Sequence, residues 1–292
     1  MDMDKWVVGM SLWNLCVPVG WSATREFAMW KSCHSMGFDL GRWGDPLFFK
    51  RHGMKPAPLI LAFDVFGTVV DWHGSISREV ATLIPGEDGD AFATAWRAGY
   101  KPAMAEVRSG KLGWTKIDDL HRRILDQVLV ARGLDLDEAQ RQHLNRAWHR
   151  LAPWPDTIAG MQRLKTHFTL CTLSNGNLGL LANMAKHAGL PWDLVLSAEV
   201  FRHYKPDPQT YLGVADVFDV APAQVMLVAS HEDDLDAAAA CGLQTAYVSR
   251  PMELGPGVRI EHGDLSRFTV SAQDFNDLAD RLKDAWPTKL PA

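Results

Sequence analysis

The chain has 292 residues, 47% hydrophobic and 22% charged, with a formal net charge of −5. That length suits one large or two ordinary domains and the composition excludes wholesale disorder, while the mild acidity argues against a dedicated nucleic-acid binder or a polybasic membrane anchor. The four cysteines (Cys16, Cys33, Cys171, Cys241) are widely spaced with no CxxC pair, which excludes a disulfide scaffold or zinc ribbon and fits a reducing cytoplasm.

Residues 1–53 hold five of the twelve tryptophans (Trp6, Trp13, Trp21, Trp30, Trp43), and residues 24–53 show no sustained helical or strand period. The apolar run 6–23 is interrupted by Asn14 and Pro18 and follows an acidic start. It lacks the basic flank and cleavage site of a secretory signal and is marginal against the ~20 apolar residues of a membrane span. This stretch is predicted to be a poorly ordered or non-native extension with a natural start at Met54, so a chain beginning there is expected to be soluble and active.

From Met54 the pattern becomes regular. Leu59–Phe63, Phe168–Leu173, Gln224–Ala229 and Gln244–Val248 are short apolar runs of the kind buried on both faces of a parallel sheet. Helical stretches lie between them, at Leu178–Ala188, Pro208–Phe218 and Asp234–Cys241, with glycine stops at Gly189 and Gly242. The alternation predicts an α/β fold: a doubly wound, Rossmann-like parallel sheet with helices on both faces. Residues 74–156 break the rhythm. Asp90–Arg108, Trp114–Arg132 and Leu136–Leu151 carry apolar residues at i, i+3, i+4 spacing with no convincing strand. Between candidate hinges at 71–74 and 153–156, this reads as a helical cap domain (74–156) inserted into a core of 54–73 and 157–285.

Ligands of open α/β sheets bind at the carboxyl ends of the strands, so the polar residues there are the candidates. Asp64-Val65-Phe66-Gly67-Thr68 follows the first strand and Ser174-Asn175-Gly176-Asn177 the second. Tyr204-Lys205-Pro206-Asp207-Pro208 follows the segment 194–200, and Ser230-His231-Glu232-Asp233-Asp234 follows the third strand. Each alone is an ordinary turn or helix start. Together at one sheet edge they assemble carboxylates, hydroxyls, an amide and an ammonium.

These four motifs, in this order over about 170 residues, resemble those of the haloacid dehalogenase superfamily, and the helical insert stands where that family has its cap. Most members are magnesium-dependent phosphatases with D-x-D at the first motif, whose second Asp is the general acid and base. Here that place is taken by Phe66, which carries no proton. Type II 2-haloacid dehalogenases have an aromatic residue there, and Arg97, Ser174, Asn175, Lys205, Tyr211, Ser230 and Asp234 also match their pattern. One departure is His231, where those dehalogenases usually carry Asn; a histidine titrates near neutral pH and puts substrate identity in question.

The resemblance implies hydrolysis of small 2-haloalkanoic acids to 2-hydroxy acids. Asp64 would be the nucleophile, oriented by Thr68, and Lys205 would hold it ionised. Arg97 and Asn175 would receive the halide, while Ser174 and the backbone at Phe66 would receive the substrate carboxylate. Asp234, with Lys205 and His231, would be the base that hydrolyses an aspartyl ester. Tyr211 and Trp72 are candidates for lining a dry pocket, with ordinary packing an equal reading of Trp72; Ser230 would stand in the late loop, and no metal or cofactor would take part. Displacing halide from carbon needs an anion that is ionised at neutral pH, which an aspartate of pKa ~3.9 supplies. The only partner expected is the haloacid, with a homodimer as the family's common assembly, no membrane and a cytoplasmic location. The alternative is a magnesium phosphatase using Asp64, Asp233 and Asp234 as a metal site; its leaving-group protonation would suffer by ~10²–10⁴-fold without an acid at position 66. A catalytically silent binding protein would lack one of Asp64, Lys205 or Asp234, and all three are present.

Overall fold

Residues 56–286 are described by the computed structural model; the extension expected over 1–53 lies outside the described residues. The first strand, β1 (Ile60–Phe63), is buried at all four positions. It leads through β2 (Val70–Asp71) into helices α1 (Trp72–Leu83), α2 (Gly89–Ala98), α3 (Tyr100–Arg108), α4 (Ile117–Arg132) and α5 (Glu138–Asn145), and returns through β3 (Ala152–Pro153). The chain continues as α6 (Thr157–Lys165), β4 (Thr169–Thr172), α7 (Leu178–Ala188), α8 (Ala198–Phe201) and α9 (Pro208–Val217). It ends with β5 (Val225–Ala229), α10 (Glu232–Ala240), β6 (Gln244–Val248), β7 (Val270–Ala272) and α11 (Phe275–Ala285).

The five long-range strands form one parallel sheet in the order β4-β1-β5-β6-β7. Period-2 alternation divides their side chains between two layers. Leu61, Phe63, Met226 and Val228 join Met161 and Leu164 of α6 and Phe275, Leu278 and Leu282 of α11. Ile60, Ala62, Leu227 and Ala229 join Tyr211 and Val214 of α9 and Leu235 and Ala238 of α10. Each such large aliphatic or aromatic side chain contributes ~1.5–3 kcal/mol by leaving water, so both faces of the sheet are held and β1 is fixed at its centre. The end of β1 is therefore a rigid place from which to present a reactive group.

The predicted strands are all found, but the boundaries of the insert differ in three places. The candidate hinge at 71–74 is the end of β2 and the start of α1, because the Asp71 carboxylate caps the helix by accepting from Gly74 N–H at 2.7 Å. The helix expected over Asp90–Arg108 is two helices parted at Gly99, where a Cβ would stand 2.5 Å from Ile124 of α4. The last predicted helix stops at Asn145 and tightens into a 3₁₀ turn over Arg146–His149. At the neck, β2 and β3 pair antiparallel, Val70 with Pro153 and Asp71 with Ala152. Thr157 Oγ1 and Trp154 Nε1 donate across it to Val69 O and Gly67 O, both at 2.8 Å. The insert is thereby tied to the loop that follows β1.

Candidate active site

The turn after β1 places Asp64 with its backbone N–H donating to Val228 O at 3.0 Å, so strand pairing with β5 sets its position. Gly67 closes the turn at φ +87°, and a Cβ on it would lie 2.1 Å from Glu253 Oε1. Only glycine meets both demands, the left-handed backbone and the carboxylate pressed against it.

The two oxygens of Asp64 meet different surroundings. Oδ1 accepts from Lys205 Nζ at 2.9 Å, and the same ammonium donates to Asp234 Oδ2 at 2.5 Å. Tyr211 OH donates to Asp234 Oδ1 at 2.6 Å. Oδ2 accepts from Thr68 Oγ1 at 2.8 Å and lies 3.0 Å from His231 Nδ1. Thr68 Oγ1 accepts from Ser230 N–H at 2.9 Å, which leaves its own hydrogen free to point at Asp64.

Behind His231 stands Glu253, 4% exposed. His231 Nε2 lies 2.8 Å from Glu253 Oε1, which also accepts from Trp72 Nε1 at 3.2 Å, and Ser230 Oγ donates to Oε2 at 3.3 Å. Glu253 reaches this place because the loop after β6 folds back over the Asp64 turn. Its anchor is the buried Arg250, whose Nε donates to Thr68 O at 2.8 Å and whose fork grips Asp156 at 2.8 and 2.9 Å.

These contacts set the ionisation of the site. Burial opposes ionisation of Asp64, but the Lys205 charge, with the His231 hydrogen bond and charge, holds its carboxyl well below the usual range. Asp234 is raised, first by burial and also by the negative Asp64 nearby, against the pull of Lys205. One ammonium between two carboxylates leaves the second the stronger base. Burial would lower Lys205, yet the Asp234 and Asp64 charges raise it above its ordinary value. Burial would likewise lower His231; the Glu253 charge and the hydrogen bonds to Asp64 and Glu253 outweigh it and push it up to about 10. At neutral pH His231 is therefore an imidazolium donating from both ring nitrogens.

A cavity of about 350 Å³ opens in front of Asp64. Of the residues expected from sequence, Asp64, Phe66, Arg97, Asn175, Lys205, Tyr211, His231 and Asp234 line it. Thr68 and Ser230 stand behind Asp64, as the contacts above show. Ser174 is set apart: it is fully buried, does not line the cavity, and its Oγ accepts from Gly176 N–H at 3.1 Å, which shapes the turn. Asn175 Oδ1 accepts from Lys205 N–H at 2.8 Å and so fixes the lysine loop as well as facing the cavity. Trp72, a candidate for either the pocket wall or ordinary packing, does not line the cavity; it is buried and donates to Glu253.

The insert supplies the opposite wall. Arg97 lies with its guanidinium carbon 4.2 Å from the Tyr100 ring centre and 5.3 Å from that of Trp72, and its Nη1 has no hydrogen-bond partner among the described residues. Lys101 Nζ meets Asp233 at 3.1 Å and Arg108 meets Asp207 at 2.6 Å, two exposed ion pairs joining α3 to the first turn of α10 and to the residue before α9. Glu253, Tyr100, Met104, Lys101 and Arg108 were not anticipated from sequence. Glu253 carried a usable signal, since it lies five residues beyond the end of a predicted strand, where a site is to be sought.

A profile of the haloacid dehalogenase-like hydrolase family matches residues 59–242, and the chain belongs to this family. It is 29% identical over 212 residues to the (S)-2-haloacid dehalogenase of Xanthobacter autotrophicus, an alignment covering 72% of this chain and 82% of that one. It is 28% identical over 199 residues to (S)-2-haloacid dehalogenase 1 of Pseudomonas sp. (strain CBS-3), covering 64% and 83%. Among solved structures, a defluorinating L-2-haloacid dehalogenase superposes with a TM-score of 0.74 at 43% identity, over 77% of this chain and 95% of that one. A second L-2-haloacid dehalogenase gives 0.74 at 46% identity, over 78% and 100%. The resemblance drawn from the motifs holds, and so does the expected α/β core with its helical cap.

Proposed function

We propose that the protein hydrolyses small 2-haloalkanoic acids to 2-hydroxy acids through an ester on Asp64, taking the (S) substrates for which its relatives are named. The observation that carries this reading is the state of Asp64. It is an ionised carboxylate beside a cavity whose far wall holds an unpartnered Arg97 nitrogen, with Phe66 where a phosphatase needs an acid. A carboxylate oxygen offers about two lone pairs. Oδ2 already faces two donors and Oδ1 one, so Oδ1 keeps a lone pair for attack on C2. As the Oδ1–C2 bond forms, the C–X pair leaves with the halide, and Arg97 and Asn175 supply N–H donors for the developing charge. Asp234, raised by burial, then takes a proton from the water that attacks the Asp64 carboxyl carbon.

The cavity of about 350 Å³ favours a short substrate. The reading includes a cytoplasmic enzyme, in keeping with the unpaired thiols of Cys171 and Cys241. Among the described residues no helix is long and apolar enough to cross a membrane.

The magnesium phosphatase alternative fits these side chains poorly. Asp64 and Asp234 share Lys205, Asp64 also faces the His231 imidazolium, and Asp233 turns outward to Lys101. Two cations already neutralise the carboxylates that a divalent ion would need. Halide release should be followed for both 2-chloropropionate enantiomers, chloroacetate, bromoacetate and fluoroacetate, beside para-nitrophenyl phosphate with magnesium. Halide release that persists in EDTA is the expected result. Phosphate release dependent on magnesium, without halide release, would overturn the reading.

A further inference from the structure

His231 and Glu253 form a second polar unit, on the oxygen of Asp64 that Lys205 does not touch. Lys205 already pairs with Asp64 at Oδ1, yet a second basic group is brought to Oδ2 by a buried carboxylate from another loop. The structure builds this arrangement at some cost in local freedom. It uses a left-handed glycine against Glu253, a Trp72 indole and a Ser230 hydroxyl to hold both Glu253 oxygens, and Arg250 to fix the loop.

What the unit faces changes during the reaction. After Oδ1 has bonded to C2, Oδ2 is the carbonyl oxygen of an ester. When water adds to the carboxyl carbon, the carbonyl π pair moves onto Oδ2, and the negative charge develops there. Two donors already point at that atom from 2.8 and 3.0 Å, the Thr68 hydroxyl and His231 Nδ1. This is the distance range of an oxyanion hole. We infer that His231, positioned by Glu253, is half of an oxyanion hole that accelerates hydrolysis of the Asp64 ester, with Thr68 as the other half. The inference rests on the dehalogenase reading and assigns to Glu253 a positioning role that acts through His231.

The steps balance. Water adds to the carboxyl carbon and gives a proton to Asp234, while Oδ2 carries the charge between Thr68 and His231. The Oδ2 pair re-forms the carbonyl, the bond from the carboxyl carbon to Oδ1 breaks, and Asp234 returns its proton to Oδ1, which leaves as the product hydroxyl. The new carboxyl group, made of Oδ2 and the water oxygen, ionises and releases the one proton that halide hydrolysis produces. His231 keeps its proton throughout. A neutral amide at this place would donate one hydrogen bond without the charge, and charged donors are roughly twice as strong.

The test separates the two chemical steps in single- and multiple-turnover kinetics with 2-chloropropionate. Glu253→Gln keeps the shape and removes the charge. Its first equivalent of halide should appear at close to the wild-type rate, with steady-state turnover slowed by about 10–100-fold and an ester adduct accumulating on the Asp64 peptide. His231→Asn should show the same burst, and adding Glu253→Gln to it should slow hydrolysis little further, because the two act as one unit. Unchanged turnover in Glu253→Gln, or a fall in burst and turnover together with no trapped ester, would overturn the inference. A second measurement does not depend on activity. In ¹⁵N-histidine-labelled wild-type protein, His231 should remain protonated at pH 8, and titration of its ring near 6.5 would overturn the charged hole. Failure of the dehalogenase reading looks different, since wild-type protein would then release no halide from any haloacid.

Discussion

The two oxygens of Asp64 divide the site into a Lys205 side and a His231 side, and the two are built differently. On the Lys205 side, an ammonium joins Asp64 to Asp234, with Tyr211 beyond. Every member comes from a motif that adjoins a strand or opens a helix. On the His231 side, the charge is relayed from Glu253, on a loop that folds back after β6 and is pinned by Arg250. The first side readies a nucleophile and a base; the second surrounds the oxygen that does not attack. A carboxylate that must both attack and be regenerated needs the two oxygens told apart, and the asymmetry of its donors does this.

Removing the nucleophile abolishes what both sides serve. Asp64→Asn should lower halide release by ~10⁴–10⁶-fold, because the amide cannot attack C2. Normal far-ultraviolet circular dichroism with no halide release is the expected outcome. Activity within tenfold of wild type would place the nucleophile elsewhere.

Breaking the Lys205 side should cost both activity and stability. Lys205→Met leaves Asp64 and Asp234 buried without their shared cation, and such a loss destabilises by ~3–5 kcal/mol. The sign with pH is fixed by the carboxyls. Without Lys205 their folded pKa values rise from those of wild type, so the destabilisation relative to wild type should grow as pH rises and shrink in acid. Urea unfolding of both proteins at pH 5 and pH 8 measures this, and equal losses at the two values would show that charge is not the cause.

The His231 side can be disturbed without substituting a charged residue. Gly67→Ala forces a side chain into a left-handed backbone and onto Glu253, whereas Gly86 has φ +91° and nothing within 4 Å of where a methyl group would stand. Left-handed strain alone costs ~1–3 kcal/mol. Gly86→Ala should therefore lose stability and keep its kinetics, while Gly67→Ala should in addition slow steady-state turnover more than the halide burst. Identical kinetics in the two variants would detach Glu253 from the reaction.

Much of this asymmetry was legible in sequence, and the illegible part has a physical reason. β1, β4, β5 and β6 are continuous apolar runs because both faces are covered, and Asp64, Lys205 and Asp234 lie in short motifs beside them. β7 is three residues long and only partly buried, so it left no run to read. Ser174 carries the residue type of a ligand yet serves a turn, a difference that depends on which way a side chain points. Glu253 lies just beyond a legible strand, but its contact with His231 is decided by a loop whose course follows from Arg250 and Asp156, 94 positions apart. Local spacing cannot express such a contact.

A further expected effect is on stability with pH. The folded pKa of His231, near 10, lies above its ordinary 6.5, so its stabilising contribution is full below pH 6.5 and is lost as pH rises through 10. Thermal unfolding from pH 6.5 to 10 should fall more steeply for wild type than for His231→Asn. Parallel curves would mean that the imidazolium is not held by the fold.

The covalent role of Asp64 is tested most directly by one turnover in ¹⁸O-labelled water with enzyme in excess. Attack by Asp64 on C2 delivers an oxygen of Asp64 to the product, and hydrolysis returns a solvent oxygen to the carboxylate. Mass spectrometry should find the label in the peptide that contains Asp64 and an unlabelled hydroxyl in the 2-hydroxy acid. Label in the product with none in that peptide would mean that water attacks C2 directly, and would contradict the account.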